Sequence, residues 1–263
     1  DLSYIKIDSN GVIDLLNLEE ILKNKSRTFV SIMHANNEIG TMQPIKEIGD
    51  LCKKYNAIFH SDTVQTIAHY PLDMQTLNVD FITASAHKFH GPKGVGFIYI
   101  SENIKIKPLL LGGSQERNMR AGTENIYAIA GLEKAMQLSY ASMQQDMIYV
   151  KGLKKYMISQ LTKNIAGISF YGNSNDLDNS LFKVLSVAFP VTPNSEMLLF
   201  NLDIMGVSCS GGSACSSGSV GGSHVLNAIS VDTKKPGVRF SFSKYNTIEE
   251  IDYTITKLNE IFN

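Results

Sequence analysis

The chain has 263 residues, 43% hydrophobic and 19% charged, with a formal net charge of −1. That composition suits a globular chain with enough apolar residues for one large or two ordinary domains. There is no basic stripe, and no apolar run reaches the ~18 residues that a membrane helix needs, so neither nucleic acid nor a bilayer is an expected partner. Three cysteines, Cys52, Cys209 and Cys215, are too few for a disulfide framework, and no secretory signal pattern is present. A reducing, cytoplasmic compartment is the expectation.

The segment YIKIDSNGVIDL at 4–15 predicts a hairpin turning at Ser9-Asn10-Gly11. TFVSIM at 28–33 reads as a strand. Pro44 then opens a helix in which Ile45, Ile48, Leu51, Cys52 and Tyr55 recur at helical spacing. AIFH at 57–60, VDFITAS at 79–85 and VGFIYI at 95–100 are three further strands. Strands alternating with helical segments predict βαβ units and a largely parallel sheet. From about Asn125 to Leu161 the pattern is helical. Beyond it, ISFYG, KVLSVAFP, GVRFSFS and a helix from Ile248 predict a smaller α+β lobe.

Each predicted strand of the first lobe runs into a polar cluster. TFVSIM leads to HANNEIGTMQP, AIFH to SDTVQ, and VDFITA to SAHKFHGPKG. Ligands of open α/β sheets bind beyond the carboxyl ends of strands. Asn37, Asp62 with Gln65, and Lys88 are therefore aimed at one rim. A Lys near His, Ser and an Asp from a neighbouring strand suits pyridoxal phosphate, which takes a Lys for its Schiff base and an acid for its pyridinium nitrogen. Each residue alone also has an ordinary reading. Lys93 reads as solvated, Asp62 suits a helix cap, and His60 and His87 suit satisfied loop positions. The coincidence at three successive strand ends favours the functional reading.

Six blocks then occur in order: MHANNEIGTMQPI, HSDTVQTIAHYPLD, ASAHKFHGPKGVGFIYI, GGSQERNMRAGTENI, GGSACSSGS and GVRFSFSKYNTIEEIDYTI. Together they resemble the cysteine desulfurases of the pyridoxal-phosphate-dependent, class V aminotransferase family, and most of all those with a long cysteine loop that serve iron–sulfur cluster assembly. The resemblance runs from about Ile13 to Tyr253. It implies an α/β, fold-type I pyridoxal-phosphate transferase. Residues 1–142 would form a mainly parallel, cofactor-binding large domain, and 143–263 a small α+β C-terminal domain that carries the cysteine loop.

The resemblance also implies roles. Lys88 would hold pyridoxal 5'-phosphate and serve as the catalytic base. Asp62 would pair with the pyridinium nitrogen and Gln65 with the phenolic oxygen. Ser85 and His87 would bind the phosphate, and Thr123 would reach the phosphate of the other subunit in a homodimer. Asn37 and Arg239 would hold the carboxylate of L-cysteine, Arg239 by a bidentate pair. Cys215 would be the nucleophile that takes sulfur as a persulfide and passes it to a sulfur acceptor or an iron–sulfur scaffold protein. No metal is implied.

SCSGGSACSSGS at 208–219 holds two of the three thiols. A Ser/Gly run changes conformation at little steric cost, which suits a sulfur carrier at Cys215. Cys209, at the upstream end, has no implied role and reads as an anchor. Cys52, on the apolar face of a helix, reads as core. His224 supplies too few ligands for a metal site. The family pattern starts before Asp1: roughly a hundred residues there carry the first sheet strands, a Gly/Thr phosphate loop and a His that stacks on the cofactor ring. No counterpart is found here, and His34, in a different block, is not given that stacking role. The expectation is therefore a chain lacking its N-terminal part. Two other readings stay open. One is a selenocysteine lyase or aminotransferase-like enzyme of the same fold. The other is a catalytically incomplete piece that serves dimerisation or binding.

Overall fold

Residues 1–25, 27–193, 195, 197–211, 223–231 and 235–262 are described by the structure, a computed structural model. Two units make up the chain. One comprises Glu19–His34 and Pro44–Met143, the other Asp1–Leu18, Ala35–Gln43 and Gln144–Asn263. Two helices cross the division: α1 (Leu15–Lys23) and, much later, the 39-residue α4.

The unit of Glu19–His34 and Pro44–Met143 is built on a four-stranded sheet. Its strands are β1 (Phe29–Met33), β2 (Ile58–Asp62), β3 (Phe81–Ser85) and β4 (Gly96–Ile100), in that spatial order. β1 and β2 are parallel, with Phe29 opposite Ile58 and Met33 opposite Asp62. β2 and β3 are also parallel, and Asp62 lies opposite Thr83. β4 runs antiparallel to β3. The largely parallel expectation thus meets one antiparallel edge. Ten residues separate β3 from β4. That is less than the dozen or more that a crossover to a parallel neighbour needs.

α2 (Ile45–Lys54) connects β1 to β2 and buries Ile45, Ile48, Gly49 and Cys52. These recur at intervals of three and four, the stripe of a helix laid on a sheet. Gly49 lets it approach closely: a Cβ there would sit 2.1 Å from the carbonyl oxygen of Leu77. The C-terminal end of the helix is tied to α1 by Glu19, which accepts from Lys54 at 2.7 Å and from Tyr55 at 2.8 Å. A short α3 (Gln115–Asn118) and the first part of α4 (Ile126–Asn164) complete this unit.

The other unit is centred on an antiparallel sheet of β5 (Ser169–Phe170), β6 (Val184–Ala188) and β7 (Gly237–Ser241). All five residues of the middle strand β6 are buried. The second part of α4 buries Val150, Leu153, Met157 and Leu161, and α7 (Ile248–Phe262) buries Ile251, Ile255, Leu258 and Ile261. Between β6 and α7 lie α5 (Leu198–Ile204) and α6 (His224–Ala228). The predicted hairpin at 4–15 is a single bridge, Ile7 to Ile13, turned at Gly11 with φ +76°. No helix among the described residues is long and apolar enough to cross a membrane.

Candidate active site

β2 and β3 deliver their last residues side by side. Asp62 ends β2, and its Oδ1 accepts from the Val64 amide at 2.9 Å. No helix follows Asp62, so the carboxylate closes an Asx turn where a helix cap was expected, and this uses one of its two oxygens. The turn that follows is pinned at its start. The Thr63 amide and hydroxyl both donate to the Thr83 carbonyl, at 3.1 and 2.9 Å. Half-buried Gln65 sits on this turn.

His34 supports the same turn. Its amide donates to the Asp62 carbonyl at 2.8 Å, and its Nδ1 lies 2.9 Å from the Thr66 hydroxyl. Burial pushes its pKa down to about 4, so the ring is neutral at physiological pH. The sequence reading missed this role. Thr66 lies 32 positions away, and no local spacing connects the two.

Ser85 ends β3, and the chain enters a 3-10 turn, Ala86–Phe89, closed by left-handed His90 at φ 66°. Ala86 and Phe89 are buried, while His87 and Lys88 between them are exposed. The turn therefore anchors itself by two side chains and presents the other two. Ser85 Oγ and His87 Nδ1 are 2.8 Å apart. The carbonyl of Lys88 accepts from His69 Nε2 at 2.9 Å, a second contact that the sequence reading missed. Among the described residues the Lys88 amine pairs with no carboxylate. His60, inside β2 and not in a loop, has its Nδ1 2.8 Å from Ser31 Oγ.

Thr123 lies in the same unit but on a different loop, and it is exposed. The approach to it is unusual backbone: Glu116, Arg117 and Asn118 have φ of 46°, 56° and 66° in succession. Left-handed conformation in consecutive L-residues costs roughly 1–2 kcal/mol each. Arg120 braces the segment, donating to Glu116 at 3.1 Å and to the Gly122 carbonyl at 2.9 Å.

The unit that contains the C-terminal helix holds Asn37 and Arg239. Asn37 rides on the turn after Asn36, whose Oδ1 accepts from the amides of Glu38 and Ile39 at 2.8 and 3.1 Å. Gly40, at φ 72°, reverses the chain, and Ala35 bridges Met42. Arg239 comes from β7, and its Nη1 donates to the Asn37 carbonyl at 2.8 Å. The two residues expected to share a substrate carboxylate are therefore in contact. Cys52 is buried, as expected of core. Cys209 is partly buried, and burial together with Asp203 pushes its thiol up to about 11, which keeps it protonated and unreactive at neutral pH. Cys215 lies outside the described residues.

Neighbouring parallel strands, one ending in an acid and the other running into a turn that presents an amine, define a class: an α/β fold of the transaminase kind. The family model of the class-V aminotransferases matches residues 1–254, and the chain belongs to that family. It is similar to the cysteine desulfurase IscS of Dictyoglomus turgidum (strain DSM 6724 / Z-1310), at 42% identity over 99% of this chain and 66% of that protein. It is also similar to the putative cysteine desulfurase IscS 1 of Bacillus subtilis (strain 168), at 41% identity over 95% of this chain and 66% of that one. The chain thus spans just under two thirds of the length of these relatives. Among solved structures it resembles a NifS-like protein from Rickettsia africae ESF-5, with a TM-score of 0.87, 33% identity, and coverage of 98% of this chain and 69% of that one. The fold is the α/β, fold-type I architecture of these proteins.

Proposed function

We propose that the chain carries the catalytic residues of a cysteine desulfurase that works with pyridoxal 5'-phosphate. The observation that carries this reading is the emergence of Asp62 and Lys88 from the carboxyl ends of neighbouring parallel strands. The names of the relatives at 38–42% identity support the substrate. The residues present fit the cofactor. Lys88 would hold its aldehyde carbon, Asp62 its ring nitrogen, Gln65 its phenolic oxygen, and Ser85 with His87 its phosphate. Bound there, pyridoxal phosphate supplies an electron sink for the substrate α-carbon.

The chain's own groups do the rest. Asp62 holds a proton at the ring nitrogen. Arg239 and Asn37 fix the carboxylate of L-cysteine, so the α-proton faces one base. Lys88 moves that proton. The Cys215 thiolate attacks the substrate sulfur: an S–S bond forms, the Cβ–S bond breaks with its electron pair left on carbon, and that carbon gains a proton. L-Cysteine and the Cys215 thiol thus become L-alanine and a Cys215 persulfide. A sulfur acceptor or iron–sulfur scaffold protein then takes the sulfur. Exposed Thr123 reaching a second copy's phosphate makes the active form a homodimer.

The test is sulfide release from L-cysteine in the presence of reductant. Cys215→Ala should lower it by about 100-fold or more while the cofactor absorbance is kept, and Lys88→Ala should abolish both. Unchanged sulfide release in Cys215→Ala would remove Cys215 as the nucleophile and overturn this mechanism, and consumption of L-cysteine without sulfide in the wild type would favour an aminotransferase-like reaction.

A further inference from the structure

Glu38 follows Asn37 directly and is only 3% exposed. A carboxylate is costly to bury unless its oxygens are hydrogen-bonded. Its Oε2 accepts a 2.6 Å hydrogen bond from Ser223 Oγ, across 185 residues of sequence. Ser223 is held in turn: the same oxygen accepts from the Leu226 amide at 3.1 Å, as the cap of α6.

The upstream side of the Ser/Gly segment pairs with β7, whose Arg239 reaches the same turn. Ser210 bridges Arg239, the Arg239 amide donating to the Ser210 carbonyl at 2.6 Å and the Ser210 amide to the Arg239 carbonyl at 3.2 Å. Arg239 then donates to the carbonyl of Asn37. The residues that bracket Cys215, Ser210 before it and Ser223 after it, are thus both bonded to the block of Asn37, Glu38 and Arg239. Of that block, Asn37 and Arg239 would hold the substrate carboxylate; Glu38 faces Ser223 instead.

We propose that Glu38 is a positioning residue for sulfur transfer: it fixes the downstream root of the cysteine-bearing segment to the turn that receives the substrate, as Arg239 fixes the upstream root. The inference rests on the desulfurase reading. A segment held at both ends presents its side chains to a nearby site at a higher effective concentration than one held at a single end. Glu38 would therefore act on the step that needs the thiol and not on the steps that precede it.

Two reactions of the cofactor-loaded protein separate these steps. Persulfide formation on Cys215 from L-cysteine, followed in a single turnover, needs the thiol. Chloride elimination from β-chloro-L-alanine needs the carboxylate site and Lys88 but no thiol, because chloride leaves unaided. Ser223→Ala and Glu38→Ala should each slow persulfide formation on the order of 10-fold. Chloride elimination should stay within about twofold. Glu38→Gln keeps an acceptor oxygen for Ser223 and should recover most of the rate. The double variant should be no slower than either single one, because both remove the same bond.

Persulfide formation at the wild-type rate in Ser223→Ala and Glu38→Ala, but lost in Cys215→Ser, overturns this inference alone. Equal loss of both reactions without rescue by Glu38→Gln also overturns it and assigns Glu38 a general structural role. Turnover of L-cysteine that survives Cys215→Ser removes the desulfurase reading and this inference with it.

Discussion

Lys154 shows what a single residue contributes beyond the candidate site. It is fully buried, and its Nζ donates to Ser180 Oγ at 2.7 Å and to the Leu181 carbonyl at 2.9 Å. Burial pushes its pKa down to about 7, against a pull upward from Asp176. In the unfolded chain the amine titrates near 10.5, so above pH 7 the unfolded state binds the extra proton and stability rises with pH. The clean window is pH 7 to 9. Above it the buried thiols of Cys52 and Cys209, held up to about 12 and about 11, act in the opposite direction. Urea midpoints measured from pH 7 to 9 should rise in the wild type and rise less in Lys154→Met. Sequence alone does not single this residue out. In KGLKKY, Lys151 pairs with Asp178 at 2.7 Å and Lys155 is exposed, and only packing separates the three. Asp62 makes the complementary point, since closing a turn and the proposed functional role are compatible in one carboxylate: it has two oxygens.

At the scale of elements, the strands and the two long helices were legible as apolar runs or helical repeats bounded by turn residues, even where, as in β6, every position is buried. α2 shows the limit. Its apolar stripe could be read, but not that Gly49 is where it touches the segment before β3. Gly49→Ala would drive a methyl to 2.1 Å from the Leu77 oxygen, and the backbone there cannot swing aside as a side chain would. Denaturant unfolding should show a loss of about 1–3 kcal/mol. The direction of β4 is not written in VGFIYI, whose alternation is the same in either orientation; only the ten-residue gap after β3 signals it. α1 passed unnoticed between the first hairpin and β1. The long-range contacts that tie His34 to the turn after Asp62 and His69 to the candidate lysine turn carry no periodic signal at all.

At the scale of the whole molecule, the exposed apolar residues near Thr123 are the feature that a single copy leaves unexplained. Leu109 is 92%, Leu111 81% and Tyr127 86% exposed. Such a concentration fits a surface that another chain covers. If the homodimer proposal holds, Leu111→Asp should shift sedimentation toward monomer and weaken cofactor retention together, since Thr123 would lose its target in the second copy. Sequence by itself determined the α/β class, the run of polar clusters at strand ends and the six ordered blocks, because these are local patterns written within a few residues. Tertiary structure alone decided that Arg239 bonds Asn37, that Glu38 bonds Ser223, and which lysine is buried. Those contacts join residues up to 202 positions apart, and the chain brings them together only by burying its apolar faces all at once.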